Sequence, residues 1–165
     1  LLPLFNELPL SHIILHPRLG KQQYKGETDP EGFKAFYEGC NKPLFYNGDL
    51  LTVEDIRSVT TRFPRLAGLV IGRGLLANPA LALEYRQGEP LSADEMARKV
   101  SRLHTEVYES YREQLQGGEL QLLMKMKSFW EYLLPDGDRK SKKTIHKTTK
   151  LSNYQAAVSN LLAAL

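Results

Sequence analysis

An alternation that runs for half the chain and then stops constrains the fold more than any other feature. Three short apolar runs each read as a buried strand closed by a polar or glycine-rich turn. They are His12-Ile13-Ile14-Leu15-His16 before Pro17, Pro43-Leu44-Phe45-Tyr46-Asn47 before Gly48-Asp49, and Leu69-Val70-Ile71 running into Gly72-Arg73-Gly74. A helical pattern follows each run. Asp29-Pro30 opens a helix through about Glu38, with Phe33, Phe36 and Tyr37 on one face. Thr52-Val53-Glu54-Asp55 has the form of a capping box, followed by an apolar stripe of Val53, Ile56 and Val59. Asn78-Pro79 reads as an N-cap and a proline at the first helical position, leading to a helix that ends near Gly88. Strand-then-helix units in series imply parallel strands, and so part of an α/β barrel or open sheet.

Beyond Pro90 no strand signal returns. Ser92-Ala93-Asp94-Glu95 is a capping box, and Met96, Val100, Leu103, Val107, Tyr111 and Leu115 recur at helical spacing until Gly117-Gly118. A second helix is expected from about Glu119, with Leu120, Leu123, Met126, Phe129 or Trp130, and Leu133 as its apolar positions. Pro135-Asp136-Gly137-Asp138 then makes a turn. A short basic helix through Ile145 follows, and a last one capped by Ser152 with Tyr154, Val158, Leu161 and Leu165 inside. These helices read as an antiparallel bundle hinged to the first part near Gly88–Pro90, which places one domain at 1–90 and a second at 91–165.

Charge separates the two parts. Residues 1–90 carry 10 Lys and Arg against 10 Asp and Glu, whereas residues 91–165 carry 12 against 9. Within 125–150 the count is 8 against 3, the footprint expected of a polyanion contact, although a solvated helix face has the same look. No apolar run is long enough to span a membrane, and a signal sequence is absent from the start, so a cytoplasmic setting is expected. The lone Cys40 cannot form an internal disulfide, the four histidines are scattered, and no Gly-Lys-Ser/Thr occurs, so zinc, Ser-His-Asp and P-loop chemistry are all excluded and no metal site is expected.

In a parallel barrel the C-terminal strand ends share one face, where ligands bind. Here those ends carry His16 and Arg18, then Asn47, Gly48 and Asp49, then Gly72, Arg73 and Gly74. Glycines allow backbone N–H groups to approach a phosphate, and a guanidinium can clamp it. A tight turn with Arg73 paired to a carboxylate fits the same triplet, and Asn-Gly is also a common turn with Asp49 suited to capping the next helix. His16 fits a core histidine or a ligand contact. Tyr24, in a polar loop beside Lys21 and Lys25, fits base stacking or an exposed loop residue.

In order and spacing, His16-Pro17-Arg18-Leu19 through Gln22-Gln23-Tyr24-Lys25-Gly26, then Asn47-Gly48-Asp49-Leu50, then Ile71-Gly72-Arg73-Gly74 with Asn78-Pro79, resemble the later half of the tRNA-dihydrouridine synthases. Lys125-Met126-Lys127-Ser128-Phe129-Trp130-Glu131-Tyr132-Leu133 resembles a stretch of that family's C-terminal helical domain. The resemblance implies a TIM (β/α)8 barrel, of which this chain would hold the C-terminal portion, about three strand-helix units, followed by a helical bundle domain. It further implies an FMN-dependent reduction of uridine to 5,6-dihydrouridine in tRNA, with NADPH as reductant. Carried over by position, His16, Asn47, Gly48, Asp49, Gly72 and Arg73 would bind FMN, the last two at its phosphate. Arg18 would lie near the RNA, and Lys125, Lys127, Arg139 and Lys140 would supply the tRNA surface.

The chain departs from the family at Leu19, where threonine is usual, and at Pro17, where a small residue is common. The family's first strand, its loop with the proton-donating cysteine, and its flavin-contacting lysine would all lie upstream of Leu1. Cys40 is in the wrong place to substitute, so no catalytic residue is expected within this chain. A barrel needs eight units in about 250 residues. The expectation is therefore a C-terminal fragment, inactive alone, binding FMN weakly or not at all, and either self-associating through its uncovered barrel edge or partly rearranged in its barrel portion. Two other readings are an RNA-binding module without catalysis and another flavin-dependent TIM-barrel oxidoreductase acting on a small metabolite.

Overall fold

The computed structural model describes residues 1–22 and 25–165. Tyr24 lies outside the described residues. The chain divides into two compact units, Leu1–Leu75 and Leu76–Leu165.

The first unit is built on a parallel sheet of β1 (Ile13–Leu15), β2 (Leu44–Asn47) and β3 (Gly68–Val70), in that order across the sheet. Register pairs Ile13 with Leu44 and Leu15 with Tyr46 on one side, and Phe45 with Gly68 and Asn47 with Val70 on the other. The β1–β2 crossover is α2 (Pro30–Gly39), and the β2–β3 crossover is α3 (Val53–Arg62). Both start where the sequence predicts. Asp29 Oδ1 accepts from Gly32 N at 2.8 Å, with Pro30 opening the helix. Thr52 and Asp55 form the reciprocal capping box of α3, with Asp55 N donating to Thr52 Oγ1 at 3.1 Å and Thr52 N to Asp55 Oδ2 at 2.8 Å.

One side of the sheet meets these helices. Leu44 and Tyr46 are buried, and Phe33 of α2 packs edge-on against Tyr46 and against Phe63, with ring centroids 4.8 Å and 4.9 Å apart. Side chains alternate across a strand, so Ile14 and Phe45 take the opposite face, where Ile14 is 50% exposed. A parallel sheet is ordinarily covered on both faces; among the described residues of this unit the face of Ile14 and Phe45 is only partly covered. Residues 2–7, which no sequence pattern marked, form the short helix α1 (Leu2–Glu7). It lies against the end of α2, where Asn6 Nδ2 donates to Gly39 O at 2.8 Å and Phe5 meets Phe36.

Gly72-Arg73-Gly74, expected as a turn, instead leads into a one-turn helix, α4 (Arg73–Ala77), and the division between units falls inside it. The next helix, α5 (Leu81–Gln87), begins later than Asn78-Pro79 suggests. Its N-cap is Ala80, and Asn78 Oδ1 instead accepts from Ala80 N at 2.9 Å, closing the turn before the helix. Gly88 ends it in the left-handed conformation (φ 83°) that glycine favours. The division precedes the expected hinge at 88–90 because α5 is anchored to the residues on its C-terminal side. Buried Glu84 accepts from Asn78 Nδ2 at 2.7 Å and from Leu91 N at 3.0 Å, bonds that hold the start of the next helix to α5.

In the second unit α6 (Ala93–Gln114), α7 (Gly118–Phe129), α8 (Arg139–Lys147) and α9 (Leu151–Leu162) contribute to one apolar core. Ser92 and Glu95 make the predicted capping box, and Asp138 caps α8 through Ser141 N at 2.7 Å. Four details differ from the pattern. Helix α7 ends at Phe129, so Leu133, although buried, lies beyond it. Leu120 is 68% exposed and Leu122 is buried in its place, because α7 turns Leu122, Leu123 and Met126 inward. The N-cap of α9 is Lys150, with no side-chain cap, so Ser152 is already inside the helix. Leu165 lies past the end of α9 and is only partly buried.

Trp130 and Tyr154 are the largest side chains in this core, and both are fully buried. Trp130 Nε1 donates to Tyr154 Oη at 2.9 Å, and that hydroxyl also lies 2.7 Å from His104 Nε2. Burial pushes the Tyr154 phenol well above its usual range and holds His104 down to about 4. The histidine, to which the sequence reading gave no role, is therefore a neutral core hydrogen-bonding partner at pH 7.

Candidate functional site

The turn after β2 organises the strand-end site. Gly48 (φ 159°) is extended, but Asp49 takes φ 41°, a left-handed conformation that Asp tolerates better than most residues. A Cβ on Gly48 would touch Thr28, Pro17 and the Tyr46 hydroxyl at 3.3–3.4 Å, so the β1–α2 loop packs directly on this turn. Burial raises the pKa of Tyr46, against a lowering hydrogen bond with Thr28. Asp49 does not cap α3, a task taken by Thr52. Its carboxylate instead accepts from Arg73 Nη2 at 2.7 Å through Oδ1 and from Arg18 Nη2 through Oδ2.

His16, Asn47, Gly48, Asp49, Gly72 and Arg73 all line one cleft of about 220 Å³, together with Leu50, Leu51 and Gly74. The six residues singled out for the cofactor are thus adjacent in space although 57 positions separate the first from the last in sequence. Arg18 does not line the cleft. Its side chain is 4% exposed, behind Asp49, and also donates to Gly26 O at 3.0 Å. Sequence reasoning missed Leu50 and Leu51 as cleft walls. They directly follow the Asn-Gly-Asp turn, and nothing in their residue type marks a ligand.

The residues fit the phosphate end of a nucleotide-like ligand. A Cβ built on Gly72 meets nothing within 4 Å, leaving its backbone approachable, and Arg73 stands beside it with its side chain 38% exposed. A cleft of this volume is smaller than the roughly 300–1,000 Å³ that encloses a whole organic ligand. Among the described residues no group of His, Cys, Asp and Glu is placed to hold a metal ion. Cys40 sits at the end of α2, remote in the fold from the strand ends, its thiol 3.6 Å from Lys42 O.

In the second unit the cations sort into two kinds. Lys125, Arg139 and Lys140 are exposed, and Lys127 is half-buried. Lys142 instead turns inward, its Nζ donating to Leu133 O at 3.0 Å and Leu134 O at 3.2 Å, and desolvation lowers its pKa. It closes the turn after α7 and is withdrawn from the basic surface that composition assigned to it. Arg139 and Lys140 occupy the first turn of α8, the positive end of the helix dipole, where cations are mildly unfavourable. Helix stability alone does not explain them.

Strand-end loops that gather glycines and an arginine around a cleft, on parallel strands joined by helices, define a β/α-repeat protein, a class whose ligands ordinarily bind at the C-terminal face of the sheet. The dihydrouridine synthase family model matches residues 10–163, and the chain belongs to the dihydrouridine synthase family. The enzymes of this family are TIM-barrel oxidoreductases that act on tRNA, generally with a flavin. The three-stranded parallel sheet is compatible with part of such a barrel. Comparison with individual curated proteins gives no match. No helix among the described residues is long and apolar enough to cross a membrane.

Proposed function

We propose that this chain carries the later barrel units and the helical tRNA-binding domain of an FMN-dependent tRNA-dihydrouridine synthase that reduces uridine to 5,6-dihydrouridine. The observation that carries the reading is the gathering of His16, Asn47, Gly48, Asp49, Gly72 and Arg73 around one cleft at the ends of parallel strands. Gly72 and Arg73 hold the phosphate through backbone N–H and guanidinium donors, and Asn47 and His16 offer polar atoms further along the cleft. When bound, the flavin would supply the hydride, first taken from NADPH, that with a proton saturates the uracil C5–C6 double bond. Lys125, Lys127, Arg139 and Lys140 face the tRNA backbone, which accounts for cations kept at an unfavourable helix end. The half-exposed Ile14 on the open sheet face supports a barrel completed by further strands, or by a second copy where those are lacking.

The test replaces Lys125 and Lys127 together with Ala and follows tRNA affinity against salt. Affinity falls, and the slope of log K against log salt becomes shallower by about 1–2, in proportion to the phosphate contacts removed. An unchanged slope removes the tRNA surface from this region and favours an oxidoreductase of small metabolites.

A further inference from the structure

One carboxylate holds both guanidinium groups of the strand-end site. Asp49 Oδ1 takes Arg73 Nη2 at 2.7 Å while Oδ2 takes Arg18 Nη2. The two arginines are otherwise unlike. Arg73 lines the cleft. Arg18 is 4% exposed and lines none of it, and its Nε and Nη1 are buried without a hydrogen-bond partner among the described residues. A buried guanidinium needs a nearby anion, and among the described residues Asp49 supplies it.

We propose that Asp49 is a positioning residue, which orients Arg73 toward an anionic ligand group while Arg18, from behind, draws off part of the carboxylate's charge. The inference rests on the phosphate reading of the cleft. It differs from a direct contact between Asp49 and the ligand, because a carboxylate beside a phosphate repels it. The left-handed turn at Asp49 (φ 41°) after Gly48 presents the carboxylate to both arginines. Arg18 reaches it from the loop after β1 and Arg73 from the first position of α4, just after β3, so three strand ends meet at one side chain.

Charge and positioning predict opposite signs for the same substitution. Asp49→Asn removes a negative charge, which by Coulomb's law alone tightens phosphate binding. If Asp49 orients Arg73, the same change weakens it, because a long side chain must then be ordered as the ligand binds. Arg18 gives an independent handle. Arg18→Met leaves the cleft wall intact but returns the whole carboxylate charge to Arg73, and this too weakens phosphate binding.

The experiment measures FMN and riboflavin affinity side by side in the full chain, since the two flavins share a ring system and differ by the phosphate. The wild-type protein prefers FMN. In Asp49→Asn the preference falls about tenfold or more, the loss expected of one charge-assisted hydrogen bond; Asp49→Glu restores part of it. Arg18→Met lowers the preference in the same direction; if Asp49→Asn does not fold, Asp49→Glu carries the test, because it keeps the charge and moves the carboxylate oxygens, so that charge alone leaves the preference unchanged while positioning lowers it. A preference that stays constant or rises in the folded variant overturns the positioning role and leaves the phosphate site standing. Equal binding of the two flavins by the wild-type protein removes the phosphate site itself, and the positioning role with it.

Discussion

His104 makes the second unit sensitive to acid in a calculable way. Its ring lies among Tyr108, Phe129, Trp130 and Tyr154, none of them charged at neutral pH, with centroids 5.6–6.2 Å away. Burial without a compensating anion lowers its pKa from 6.5 to about 4. The unfolded chain therefore binds a proton that the folded chain refuses, so stability rises with pH. The contribution is complete above 6.5 and is lost as pH falls from 6.5 toward 4. At about 1.4 kcal/mol per pH unit, full burial would make it about 3 kcal/mol; the ring is only partly buried, and solvent screening reduces this to about 1–2 kcal/mol. The assay is urea unfolding from pH 7 to pH 4.5, followed by the fluorescence of Trp130, the chain's single tryptophan, which reports on this core alone. In His104→Gln, which keeps a hydrogen-bonding group but cannot titrate in this range, this part of the pH dependence disappears. A variant with the same acid slope as the wild type would refute the assignment.

Tyr154→Phe leaves the buried Trp130 Nε1 without its acceptor and should cost about 1–3 kcal/mol, read as a lower urea midpoint; an unchanged midpoint would mean that water replaces the hydroxyl. Gly68→Ala brings a Cβ to 2.6 Å from Phe45 Cε1, so the ring must move, at a cost of about 1–3 kcal/mol. Hydrogen exchange of the β2 and β3 amides measures this locally, and protection equal to the wild type would show that the ring has room to turn.

The elements that the sequence revealed are those whose causes are local. Thr52 and Asp55, Ser92 and Glu95, and Asp29 with Pro30 each satisfy helix donors within a few residues, so their types and spacing suffice. The apolar runs before Pro17, Gly48 and Gly72 likewise become β1, β2 and β3. Helix α1 escaped because it is stabilised from 33 positions away, through Asn6 and Gly39. The face of α7 was mistaken because Leu120 and Leu122 both suit an apolar stripe, and only the partners decide which turns inward.

At the candidate site the same division holds. By itself the sequence determined which residues sit at the three strand ends, because strand, turn and helix signals fix the position of each along its own segment. It also determined the basic excess of the second half. Only the tertiary structure decided that Asp49 serves two arginines 31 and 24 positions away rather than capping α3. It likewise decided that Lys142 directs its charge to the Leu133 and Leu134 carbonyls and that His104 is held neutral in the core. Ion pairing and burial depend on which groups long-range folding brings within a few ångströms, and residue type and spacing do not carry that information.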